Sequence, residues 1–153
     1  MGRDARPDDR SPPTAERDRS PALPQYKSGG ARSKPIDEII YRSYRPGDEE
    51  AILDGFNETF RLTRDLDYWK WKFDADDPGR FMSVAVDAYD EVQAFYGAMP
   101  VHWRYDGVRK LAGLGADVYC RRHPDLIRAN AFLKTFYHFV EHHLGPGRLS
   151  IVF

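Results

Sequence analysis

Residues 116–144, reading ADVYCRRHPDLIRANAFLKTFYHFVEHHL, constrain the fold more than any other stretch. Asp117, Val118 and Tyr119 finish a strand, and Pro124 and Asp125 punctuate a turn. A helical stripe then runs over 126–144, with Phe132, Leu133, Phe136, Phe139 and Val140 spaced onto one side. Where a strand hands directly to a helix, the first backbone N–H groups of the helix lack intrahelical partners. Together with the helix dipole they make a place for an anion such as a phosphate. Gly145-Pro146-Gly147 stops the helix, as glycine just past a last turn does.

The preceding sequence supplies a sheet for this unit. Ile39, Ile40, Tyr41 and Tyr44 read as a first strand closed by Pro46-Gly47. DEEAILDGFNETF opens with three acids, favourable at a helix N-terminus. It places Ile52, Leu53, Phe56 and Phe60 on one face. LDYWKWKF reads as a second short helix, ended by an Asp-Asp-Pro-Gly turn at 76–79. Its interleaved aromatics and lysines suit nucleic-acid stacking, but core aromatics with solvent-facing lysines explain them as well, so no clear nucleic-acid site emerges. Strands over 81–86 and 91–101 follow, with Gly97 and Pro100 as bulge positions. The turn Tyr105-Asp106-Gly107 leads into a strand over 108–119, completing a three-strand meander. Residues 149–153 read as a final buried strand.

The first 35 residues differ from the rest. Six of the chain's 11 prolines fall there, among Arg and Asp of mixed sign and almost nothing large and apolar. Such a segment buries too little surface to offset its ordering entropy, and we expect a disordered tail over 1–35 ahead of one domain over 36–153. It lacks the apolar core of a signal peptide, and Asp4, Asp8 and Asp9 argue against a transit peptide. No apolar run approaches the ~20 residues that span a bilayer, so no membrane partner is expected. The single cysteine, Cys120, excludes a disulfide framework, and a reducing cytoplasm is the expected location. A lone Cys at a strand end reads as a small buried hydrophobe. The last strand, with no element after it, leaves an open edge. Either a partner or oligomer covers it, or the chain is a fragment; the fragment reading is the one expected.

The order strand, helix, helix, three antiparallel strands, helix, strand resembles the first two-thirds of the acyltransferase fold of the GNAT superfamily. YRPGDEEAILDGFNETF resembles its opening strand and first helix, and DYWKWKF the aromatic second helix of a subset. VQAFYGAMP resembles its third strand, and ADVYCRRHPDLIRANAF its fourth strand, "hP" turn and the start of the cofactor-binding helix. The similarity covers residues 37–153. It implies an α+β, GNAT-like architecture: a mixed, mainly antiparallel sheet flanked by helices and incomplete at its C-terminus.

The resemblance also implies acetyl-CoA as co-substrate and an amine as acceptor. Backbone groups of Val118, Tyr119 and Cys120 would meet the pantetheine, and the loop near Arg128, Ala129, Asn130 and Ala131 the pyrophosphate. The family's R-G-x-G is not reproduced: in gap-free register Ile127, Arg128, Ala129 and Asn130 fill those four places. A one-residue slip puts Arg128 in the arginine place and Ala129 and Ala131 in the small positions. Asn130, at a glycine place of the gap-free register, tolerates φ > 0 and so could partly replace that glycine.

Transfer needs a base for the amine proton and an acid for the leaving thiolate. Asp117 is the candidate base, against a reading as a hydrogen-bonded structural carboxylate; Glu58 is a weaker one. His138-Phe-Val-Glu141-His142 matches H-x-x-E-H, a zinc-helix signature. No spaced ligand follows His142 in the sequence, and the same residues read as the polar face of an amphipathic helix, so no metal is expected. His102 and His123 read as structural, and Trp103 as packed on the sheet. Two functions remain: an acetyl-CoA-dependent N-acyltransferase, and a non-catalytic module of the same fold that binds a partner through its open sheet edge.

Overall fold

The computed structural model of the chain describes residues 35–73 and 81–153. The tail expected over 1–35, Pro35 apart, and the turn expected over 76–79 lie outside these residues. Strands β1 (Ile39–Ser43), β2 (Phe81–Asp87), β3 (Val92–Tyr105) and β4 (Val108–Cys120) pair antiparallel in the order β1-β2-β3-β4. Helices α1 (Glu49–Phe60) and α2 (Leu66–Phe73) cover one face. Helix α4 (Ala131–His143) covers the other, preceded by the single turn α3 (Pro124–Arg128).

Period-two alternation assigns the two cores. Met82, Val84, Val86, Val92 and Phe95 join Ile52, Leu53, Phe56, Trp69 and Phe73 from α1 and α2. Phe81 and Ala98 point the other way, to Phe139 of α4 and Leu149. The β3–β4 connection follows its turn chemistry. Asp106 (φ 49) and Gly107 (φ 73) both adopt left-handed φ, as a two-residue type I′ hairpin requires. This hairpin outruns its neighbours: β2 pairs β3 only as far as Ala98, while β3 and β4 continue paired to Tyr105 and Val108. β3 is therefore longer than the strand expected over 91–101.

Several local expectations are corrected. The bulges fall at Gln93, the extra residue opposite Ala85/Val86, and on β4 opposite Phe95/Gly97. Gly97 instead leaves room for the Phe95 ring, whose Cζ stands 2.5 Å from where a Cβ would be. Pro100 pairs in register with Gly113, beyond the end of β2, where its missing N–H costs no ladder bond. The helix expected over 126–144 is broken: Ala129 caps α3, and Asn130 at φ 53, ψ 41 starts α4 afresh. The buried line of α4 is Ala131, Thr135 and Phe139, whereas Phe132 and Leu133 are each 43% exposed. On α1, Phe60 stacks on Phe56 with centroids 4.7 Å apart yet stays half exposed.

Residues after α4 return along β4. Gly145 (φ 134) and Gly147 (φ 73) make the reversal, and Leu149 is fully buried. Ser150 then donates its N–H to the Leu111 carbonyl, and Gly113 and Gly115 donate to the carbonyls of Ile151 and Phe153. The expected last strand is thus a short parallel ladder, with a bridge between Gly113 and Val152. No helix among the described residues is long and apolar enough to cross a membrane.

Candidate functional site

The far end of β4 is shaped by its bulge. Phe95 faces Tyr119 and Gly97 faces Ala116, so β4 carries one residue more than β3 across this stretch. Asp117 sits in the bulge at φ 53. The extra residue resets the alternation, so Ala116 and Tyr119 both enter the α1/α2 core. Arg121 donates its N–H inward to the Gln93 carbonyl, which turns the backbone groups of Val118 and Cys120 to the outer edge of β4. This edge lies beside the start of α4. Cys120 Sγ faces the Phe132 N–H and lies 3.6 Å from the Arg121 carbonyl. Burial pushes the thiol up, and the Phe132 N–H only partly offsets it, so Cys120 is a protonated packing group.

At the start of α4 the first intrahelical bond runs from Lys134 N to the Asn130 carbonyl, 3.0 Å, and Asn130 makes no side-chain cap. The amides of Ala131 and Leu133 have no intrahelical partner. Asn130 holds the left-handed backbone that a glycine would otherwise supply. Ala131 is fully buried, so its small side chain serves packing. Arg128 is exposed and folds back, with Nη1 2.9 Å from Asp125 Oδ1. His123 caps α3, its Nδ1 accepting from Asp125 N at 3.2 Å, while its buried Nε2 has no partner.

Asp117 points to α2. Its Oδ1 lies 2.7 Å from Lys72 Nζ, and its Oδ2 accepts from Tyr68 Oη at 3.0 Å. Lys72 also reaches Tyr68 Oη at 3.0 Å. Burial pulls the Lys72 ammonium down, and its bonds to Asp117 and Tyr68 more than restore it, leaving it raised. Lys72 is therefore not the solvent-facing lysine expected of it, whereas exposed Trp71 is not a core aromatic. Tyr68 and Lys72 are the site residues that sequence reasoning missed; the interleaved α2 pattern was their only signal. Glu58 does not join them, being paired with Arg121 Nη1 on the surface. Tyr119 offers neither backbone nor side chain: its backbone shares the inward side with Arg121, opposite Phe95, and the residue is 2% exposed, with an unpartnered hydroxyl that burial pushes far up.

On α4, the rings of His138 and His142 stack with centroids 3.9 Å apart. His138 Nδ1 bonds Ser83 Oγ at 2.9 Å, and His142 Nδ1 the His138 carbonyl at 2.9 Å. Among the described residues no three His, Cys, Asp or Glu side chains stand close enough to hold a metal ion.

An antiparallel sheet with α1 and α2 on one face and a strand–turn–helix running onto the other defines an α+β protein. Solved structures carry the same arrangement. Two of Saccharomyces cerevisiae N-myristoyltransferase with bound myristoyl-CoA match 71% and 72% of the chain, at 12% and 13% identity and TM-scores of 0.51 and 0.54. Glucosamine-6-phosphate N-acetyltransferase from Arabidopsis thaliana matches 76% of it, at 12% identity and a TM-score of 0.50. The matched part spans 28% of the yeast enzyme's length and 81% of the plant enzyme's. The chain therefore has the acyltransferase fold of the GNAT superfamily, as its motifs implied. No protein-family profile matches the sequence, and no curated protein sequence matches it significantly.

Proposed function

We propose that this chain is the acyl-CoA-binding part of an N-acyltransferase that moves an acetyl group from acetyl-CoA to an amine. The observation that carries the reading is the bulge at Asp117, which turns the Val118 and Cys120 backbone outward beside the start of α4. That edge can pair with the amides of a pantetheine arm. The Leu133 N–H, at the positive end of α4, suits a pyrophosphate. Arg128 needs only to leave Asp125 to add a charged donor, and the left-handed backbone at Asn130 keeps the turn open. The residues present fit the co-substrate. When bound, it supplies the thioester carbonyl that the amine attacks.

Asp117 is the proposed proton acceptor. A carboxylate offers about four lone-pair sites, and Lys72 and Tyr68 occupy one on each oxygen. The proton lost by the attacking nitrogen passes to Asp117 as the new C–N bond forms, and the sulfur departs as the thiolate as the C–S bond breaks, to be protonated from solvent. Lys72 and Tyr68 fix the carboxylate's direction. The cytoplasm is the proposed location, since Cys120 stays reduced there.

Calorimetric titration of the purified chain with acetyl-CoA tests the reading. Micromolar binding that shifts the amides of 118–120 and 131–133 supports it. No heat from a folded sample overturns it and leaves the non-catalytic module. Myristoyl-CoA, the ligand in the yeast enzyme structures, serves as the competing donor.

A further inference from the structure

The connection between α1 and α2 brings a cation up to the Asp117 cluster. Arg61 closes α1 in the left-handed conformation, and Asn57 then clamps the loop from two sides. Its Oδ1 accepts from the Arg64 N–H and its Nδ2 donates to the Arg64 carbonyl, each at 2.8 Å. The clamp fixes the Arg64 backbone just ahead of α2. Arg64, Tyr68 and Trp71 follow one another at spacings of four and three, which lines them along one side of the helix start. The Arg64 guanidinium lies over the Tyr68 ring, with Cζ 4.3 Å from its centre, and the Tyr68 and Trp71 rings stand 5.8 Å apart. The Tyr68 hydroxyl reaches Asp117 Oδ2 at 3.0 Å. A guanidinium and a carboxylate thus flank a single tyrosine ring.

The charges here leave a surplus. Lys72 offsets Asp117, and Arg42, Arg121 and Arg128 each meet a carboxylate of their own. Arg64 meets none among the described residues and is held by an aromatic face instead. Its acidic neighbour Asp65 turns Oδ1 to the Tyr68 N–H at 2.9 Å, as a cap of α2. Arg64 and Trp71 are both exposed and open to a ligand. The planar fork of Arg64 suits the paired oxygens of a carboxylate or phosphate, and Trp71 offers a flat apolar flank. An amine attacks as its neutral form. A second cationic group on it would meet Arg64 and Lys72 together, whereas an anionic group would be drawn to Arg64 and leave the nitrogen at Asp117.

We propose that the acceptor is a small amine carrying its own anionic group, a carboxylate or phosphate, which Arg64 holds while the nitrogen meets Asp117. The inference rests on the acyltransferase reading and names the substrate class of that site. Arg64 is separate from the donor's pyrophosphate, because it belongs to the α1–α2 connection and α4 covers the opposite face of the sheet.

Two pairs of amines that differ in the anion test it: phenylalanine against phenethylamine, and phosphoethanolamine against ethanolamine. Titrated into the full chain and followed by backbone amide shifts, the anionic member of each pair should shift 64, 68, 71 and 117 saturably. It should bind at least about tenfold more tightly than the member without the anion. With acetyl-CoA present, the same preference should appear in kcat/KM, carried by KM. Arg64→Gln should bring the ratio within each pair to near one, and Arg64→Lys should keep part of the preference. Lys70→Gln, on the exposed side of α2, should leave it unchanged. Equal binding within the pairs, a preference that survives Arg64→Gln, or tighter binding of spermidine overturns the proposal. So does an acetyl-CoA affinity that falls in Arg64→Gln, which would make Arg64 a donor contact. The shifts need no turnover, so acetyl-CoA failing to bind while the anionic amines still shift these residues counts against the acyltransferase reading alone.

Discussion

Lys72 Nζ lies 2.7 Å from Asp117 Oδ1, with the two side chains 13% and 15% exposed. The pair ties α2 to the bulge of β4 across 45 residues of sequence. Asp117→Asn keeps a side chain that tolerates φ 53 but leaves the Lys72 ammonium largely buried without its counter-charge. We expect a loss of about 1.5–3 kcal/mol, the scale of a hydrogen bond to a charged group. Adding Lys72→Met should recover part of it, because an unpaired buried charge costs more than an apolar replacement. Urea-unfolding midpoints of the four proteins measure the coupling. Additive effects would show that the contact is absent in solution.

Gly55 of α1 faces the Tyr119 ring, and a Cβ there would overlap the hydroxyl and its neighbouring ring carbons. Gly55→Ala should therefore cost about 1–3 kcal/mol, despite alanine's better helix propensity. The Tyr119 hydroxyl is buried without a hydrogen-bond partner. Tyr119→Phe should leave stability unchanged or raise it by about 1 kcal/mol, and should relieve part of the Gly55→Ala penalty. Thermal unfolding checks both signs.

The docking of α4 on β2 has a pH dependence of fixed direction. Burial lowers His138, with the charges of His142 and His143 adding to it and Glu141 opposing. Burial lowers His143 also; its bond to the Met82 carbonyl opposes, while His142 and Arg148 lower it further. Ser83 and the Phe81 ring complete the surroundings on the β2 side. Both histidines take up protons more readily in the unfolded chain. Stability is thus complete above the ordinary histidine value of about 6.5 and falls as the pH drops below it. His138→Gln should flatten the profile between pH 7 and 5.5 in chemical denaturation, and an unchanged slope would refute the assignment.

What the sequence made legible was local. The Asp106-Gly107 turn and the acids that open α1 each encode their element within a few residues, and both formed as expected. The break at Asn130 was hidden because apolar spacing runs on through it, and a left-handed asparagine leaves no mark on that period. The bulge at Asp117 carries no glycine to announce it. Its cause is tertiary, the need for Ala116 and Tyr119 to face one core. The Asp117 partners are brought from α2, tens of residues away, so no window of sequence contains the cluster.

Asn130 offers the sharpest test of how the start of α4 is built. At φ 53 it occupies a region where a β-carbon costs roughly 1–2 kcal/mol and where asparagine is tolerated. Asn130→Ala should destabilise by about 1 kcal/mol and Asn130→Val by more, since branching worsens the same clash. Asn130→Gly should be near neutral, its freedom in the unfolded chain offsetting relief of the strain. The same variant separates packing from ligand binding. If the start of α4 receives the pyrophosphate of acetyl-CoA, removing the side chain opens the approach to the Leu133 amide, and affinity should rise severalfold with stability unchanged. Parallel thermal and calorimetric measurements on the three variants read the two effects independently. Affinity that merely tracks stability across the series would mean that the left-handed turn serves the fold alone.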